Sequence, residues 1–86
     1  MMFKITLHAE AEMNRRGIPR MFVEAVLDKP QQIVDEYGNK KAYQSKIDFG
    51  KGIIYLVRVI VDDTVTPKSV VTVYRTSKME KYWRQS

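Results

Sequence analysis

Residues 53–61 read IIYLVRVIV, a run that is apolar at odd and even positions alike. A strand with that pattern needs cover above and below, which puts it in the middle of a sheet. Arg58 interrupts the run. A guanidinium does not shed its charge, so this position is costly unless an anion meets it. Two kinds of anion answer: an Asp or Glu brought across the sheet, or a phosphate on an open sheet face, whose oxygens match the planar fork. In strand numbering Arg58 shares its face with Ile54, Leu56 and Ile60, an apolar floor that sharpens its field.

The flanking segments supply the layers. HAEAEMNRRG, residues 8–17, predicts a short helix with Thr6 capping its entry, Ala9 and Met13 inward, and Gly17 at C′. IPRMFVEAVLDKP predicts a second helix over residues 20–28, between Pro19 and Pro30, with Met21, Phe22, Ala25, Val26 and Leu27 on its apolar face. KKAYQSKIDFGKG alternates, with Tyr43, Ile47 and Phe49 on one side and Gln44, Lys46 and Asp48 on a wet one. DDTVTPKS reads as a turn, VVTVYRT as a further strand and SKMEKYWRQS as an amphiphilic tail. Short links between consecutive strands imply an antiparallel meander. The expected fold is α+β: two N-terminal helices packed on one face of a three- to four-stranded antiparallel sheet, as a single domain over residues 1–86.

A chain of 86 residues buries about 60–65% of its unfolded surface, enough for one modest core. A site should therefore be an open groove. The absence of cysteine fits a reducing cytoplasm, and MMFKITLHAE lacks the apolar run of a secretion signal. No stretch approaches the roughly 18 apolar residues of a membrane span, so no membrane partner is expected. Charge is uneven along the chain. Residues 1–63 hold ten Lys/Arg against nine Asp/Glu, whereas residues 64–86 hold Lys68, Arg75, Lys78, Lys81 and Arg84 against Glu80 alone, so +4 of the net +5 is C-terminal. Such a segment suits a polyanion such as RNA or an acidic protein, or serves as a solubilising tail.

His8 is the one histidine and opens the first predicted helix. The helix dipole there favours neutral imidazole, the form a general base needs, and free N–H groups nearby favour a bound anion. A capping or idle exposed histidine is the plainer alternative. With one His and no Cys, a zinc site of the usual kind is not expected, nor is a cofactor.

LHAEAEMNRRGI, YGNKKAYQSKI, LVRVIVDD and VVTVYRTSKMEKYW together resemble a small uncharacterised family of bacterial and phage proteins that read H-A-x-x-R-M-x-x-R-G-I near the start and V-Y-R-T-S-K near the end. The likeness runs over almost the whole chain. That family is grouped with RelE-like toxins and the barnase–colicin-type ribonucleases. The resemblance implies a RelE/barnase-like layout and a metal-independent endoribonuclease, the toxin of a toxin–antitoxin pair, cleaving RNA through a 2′,3′-cyclic phosphate. Residue by residue it implies His8, Arg58 and Thr76 as catalytic, with Tyr74, Arg75, Lys78 and Arg16 binding substrate. RNA, the ribosome and an acidic antitoxin protein are the implied partners. One departure is Glu12, where the family has Arg four residues after the His. It implies a lost phosphate contact, a carboxylate that orients His8 or shares acid–base work, or a member that no longer cleaves. Two other functions fit the same residues: an RNA-binding module stacking bases on Tyr55, Tyr74, Tyr82 and Trp83, and a module that docks an acidic protein segment.

Overall fold

The computed structural model describes residues 2–85. Its elements run β1 (Phe3–Ile5), α1 (Leu7–Arg15), α2 (Arg20–Asp28), β2 (Gln32–Asp35), β3 (Lys40–Asp48), β4 (Ile54–Asp62), β5 (Lys68–Thr76) and α3 (Met79–Tyr82). The sheet has the order β1-β5-β4-β3-β2, so the doubly apolar strand β4 is central. Every β4 residue from Leu56 to Val61 is buried, Arg58 included.

The expected sheet of three or four antiparallel strands is wrong in number and in direction. There are five strands among the described residues, and the edge pair β1 and β5 is parallel, with Phe3 opposite Lys68 and Ile5 opposite Val70. The RelE/barnase-like layout drawn from the sequence falls with it. β1 has only three residues and its partner lies near the other end of the chain, so no local periodicity announces it. β2 is nearly as short.

Helix α1 is held at both ends by its own sequence. Thr6 Oγ1 accepts from Ala9 N at 3.1 Å and donates to Val70 O at 2.9 Å, capping the helix and tying its start to β5. At the other end Ile18 N donates to Met13 O at 2.9 Å and Gly17 N to Asn14 O at 3.3 Å, the paired bonds of a Schellman turn. Gly17 sits there at φ +64, a conformation costly for other residues. Helix α2 occupies residues 20–28 as expected but is rotated from the expected face. It buries Val23, Val26 and Leu27, while Met21 is 68% exposed. A stripe at positions 22, 23, 26 and 27 leaves Met21 and Ala25 on the solvent side.

One face of the sheet, the helix face, packs Val57, Val59, Val61, Val70, Val73 and Tyr43 against Ala9, Met13, Ile18, Val23, Val26 and Leu27. Each fully buried valine contributes about 1.5–3 kcal/mol relative to exposure. A register shift opposite Ile60 and Val61 leaves Val71 as an extra residue in β5, which lets both Val70 and Val73 point to the helices. Among the described residues no helix is long and apolar enough to cross a membrane.

Candidate functional site

The opposite, outer face of the sheet is polar at its centre. Register places Arg58 between Gln44 on β3 and Tyr74 on β5, so the three side chains share that face. Arg58 Nε donates to Gln44 Oε1 at 2.8 Å, one terminal nitrogen to the Tyr74 hydroxyl, and the other to Glu36 Oε1 at 2.6 Å. Glu36 follows β2 and reaches back over the sheet. The Tyr82 ring of α3 lies 4.4 Å above the guanidinium, which is left 2% exposed. The network continues outward. Gln44 Nε2 donates to Gln32 Oε1 at 2.8 Å and to Tyr82 O at 3.1 Å, and Gln32 pairs with the Arg84 backbone, donating to its O at 2.6 Å and accepting from its N at 3.0 Å. No buried side-chain polar atom is left unpaired among the described residues.

The anion that Arg58 demands is therefore a carboxylate of the same chain, and the groove expected over it is covered by residues 82–84. Gln44, expected on a wet face, is fully buried beneath that segment. Burial raises the Tyr74 hydroxyl above its ordinary pKa, only partly offset by the hydrogen bond from Arg58, so it stays protonated and is a poor acid.

Arg75 is held differently. It points to the helix face at the strand's end, where its guanidinium carbon lies 4.7 Å from the Phe49 ring and 4.6 Å from the Tyr55 ring. Those rings belong to an edge-to-face chain with Phe22 that closes the end of the core. Among the described residues no acceptor or carboxylate meets the Arg75 fork. One terminal nitrogen faces Gly17, where an added Cβ would stand 4.0 Å away. The topology gathers other cations at this end of the sheet, where β3 and β5 finish, β4 begins and α1 closes. By chain order Arg15, Arg16, Lys51, Lys78 and Lys81 fall at this end, against Glu12, Asp48 and Glu80. The far end is balanced: Lys4, Lys40, Lys41 and Lys68 face Asp35, Glu36, Asp62 and Asp63.

His8 is exposed on the first turn of α1, which starts beside Val70. Val70 is six strand positions, about 20 Å, from Thr76, and His8 is about 12 Å along the helix axis from Arg16. The structure does not bring His8 together with Arg58, Thr76 or Arg75. Thr76 Oγ1 accepts from Lys78 N at 3.0 Å, closing the turn after β5, and Lys78 is exposed. Arg16 approaches the Tyr74 ring at 6.0 Å while its Nε bonds Glu12 Oε1 at 2.9 Å. Glu12 also takes two bonds from Arg15, and the two guanidiniums, Arg15 first, hold its carboxyl down at about 2. Of the three consequences implied at Glu12, orientation of His8 is not what it does.

Sequence reasoning does not place Glu36, Gln32, Gln44, Tyr82 or Arg84 around Arg58. For Gln44 a signal existed. A tight GKG turn centred on Lys51 pairs positions that mirror about it, which sets Gln44 opposite Arg58. The contacts of Glu36 and the tail are tertiary and carry no such signal.

A domain described as "Domain of unknown function (DUF4258)" matches residues 5–75, a span that includes His8, Arg58, Tyr74 and Arg75 and stops short of α3. No match was found among curated proteins or among solved structures.

Proposed function

The chain belongs to the DUF4258 family, and we propose that it binds RNA at the basic end of its sheet, with Arg75 as the main phosphate ligand. The observation that carries this reading is the Arg75 guanidinium itself, in cation–π contact with Phe49 and Tyr55 and free of acceptors among the described residues. The two rings restrain the guanidinium before a ligand arrives, so less side-chain entropy is lost on binding. Its donors are then free for a bidentate phosphate contact, and Lys51, Lys78 and Lys81 at the same end of the sheet add attraction that falls with salt.

The resemblance to RelE-like and barnase–colicin-type toxins would add cleavage. Attack of a ribose 2′-OH on the neighbouring phosphate needs a base, a cation and an acid around one phosphorus. His8 stands about two helical turns from Arg16, Arg58 is enclosed and ion-paired, and burial weakens Tyr74 as an acid. The geometry supports binding without cleavage. An acidic antitoxin-like segment would compete for the same surface.

The test incubates the protein with RNA in excess EDTA, and with translating ribosomes, and assays binding and 2′,3′-cyclic phosphate ends together. Bound, intact RNA is expected. Cyclic ends that vanish in His8→Ala would replace this reading with the ribonuclease, and no binding in either arm would refute it.

A further inference from the structure

We propose that the outer face carries a nucleobase subsite, and that residues Tyr82–Arg84 of the same chain occupy it when no RNA is bound. This inference rests on the RNA-binding reading and names what that RNA presents to the second face. Arg58 is the seat. Its charge is met by Glu36 and its plane is fixed by Gln44 and Tyr74, so the guanidinium is a stacking surface for a ring rather than a phosphate ligand. In the structure the ring is that of Tyr82, 4.4 Å away.

Beside the seat, Gln32 makes a two-point contact with the Arg84 backbone, giving a hydrogen bond to its C=O and taking one from its N–H. A side-chain amide makes the same donor–acceptor pair with the edge of adenine. Gln44 adds a donor, now spent on Tyr82 O. A stacked ring with an adjacent donor–acceptor edge is the chemistry of a nucleobase, supplied here by the tail.

The tail's hold is of a kind a base could match. None of the residues of α3 is buried, so its grip comes from these hydrogen bonds, the Tyr82 stack and the Lys46 ammonium 4.0 Å over the Trp83 ring. An incoming adenine replaces the ring on Arg58 and the donor–acceptor pair on Gln32, while Lys46 remains to draw the backbone. The apparent affinity is then lowered by the fraction of time the tail is closed.

Trp83 is the chain's single tryptophan and lies on the tail, so its emission reports displacement. The experiment titrates the full chain with a short oligoadenylate and, separately, with base-free inorganic polyphosphate, in wild type, Tyr82→Ala and Tyr82→Trp. Oligoadenylate should shift Trp83 emission in the wild type and polyphosphate should not. If the tail is closed for about nine-tenths of the time, Tyr82→Ala should bind oligoadenylate about tenfold more tightly. Its polyphosphate affinity should not change. Tyr82→Trp, with a larger ring on Arg58, should bind oligoadenylate more weakly than wild type. Salt-sensitive oligoadenylate binding that is equal in all three proteins would overturn the subsite and leave RNA binding intact. Polyphosphate moving Trp83 as far as oligoadenylate would also overturn it, and failure of both probes to bind would remove both readings.

Discussion

Arg58 and Arg75 stand on paired strands one position apart in register, on opposite faces of the sheet, and the fold treats them in opposite ways. Arg58 is enclosed, with a carboxylate, an amide and a phenol around its edge and a ring on its plane. Arg75 has two aromatic rings beside its guanidinium and no acceptor on it among the described residues. A buried cation whose charge is met within the chain is spent as a phosphate ligand, and a half-exposed one that rings restrain and no acceptor meets is poised for one. The awkwardness of an arginine in a sequence thus measures how much the fold must supply, not whether it binds substrate.

The largest effect should come from breaking the enclosed side. Arg58→Ala strands the Glu36 carboxylate and should destabilise the protein by about 3–5 kcal/mol, read from denaturant unfolding. The double variant Arg58→Leu/Glu36→Gln should lose less than the single one, because no unpaired charge remains. Equal losses would mean that Glu36 contributes little to the enclosure. On the open side, Arg75→Ala removes exposed cation–π contacts and should cost only about 1 kcal/mol of stability. Its RNA affinity should nevertheless fall about tenfold or more, the loss of a charge-assisted hydrogen bond.

A smaller effect should appear in acid. The Glu12 carboxyl is held from 4.5 down to about 2 by Arg15 and Arg16. A depressed carboxyl stabilises the folded state above its unfolded pKa, and that contribution is lost as pH falls from about 4.5 to 2. Glu12→Gln should therefore flatten the pH dependence of stability in that window and leave the Arg15 and Arg16 guanidiniums unneutralised. An unchanged acid limb would detach Glu12 from the basic end.

The smallest effect belongs to Lys78→Ala. Lys78 is exposed and its backbone is tied to Thr76, so stability should move by no more than about 0.5 kcal/mol.

The same contrast explains what the sequence made legible. β4 and α2 announce themselves because their patterns are local: nine apolar-rich residues in one case, an amphipathic turn bounded by Pro19 and Pro30 in the other. β1 does not, because Phe3–Ile5 becomes a strand only by pairing with Lys68–Val70. Arg58 was legible as a cation in need of an anion, but its partner Glu36 lies 22 positions away. The expected convergence of His8 with the strand end fails for a topological reason. Thr6 ties the start of α1 to Val70, so His8 lies at the beginning of β5 while Arg75, Thr76 and Lys78 lie at its end. Arg75 was legible as a basic residue near a strand end, but its stacking was not, since Phe49 and Tyr55 reach it only through the β3–β4 hairpin.

The most direct test of the account is the salt dependence of binding to single-stranded RNA, measured for wild type, Arg75→Ala and His8→Ala. If Arg75 neutralises one phosphate, the log–log slope of Arg75→Ala should be shallower than that of wild type by about 0.7. His8→Ala should match the wild type, with the RNA recovered whole. An Arg75→Ala slope equal to that of the wild type, or RNA cut by the wild type and spared by His8→Ala, would contradict it.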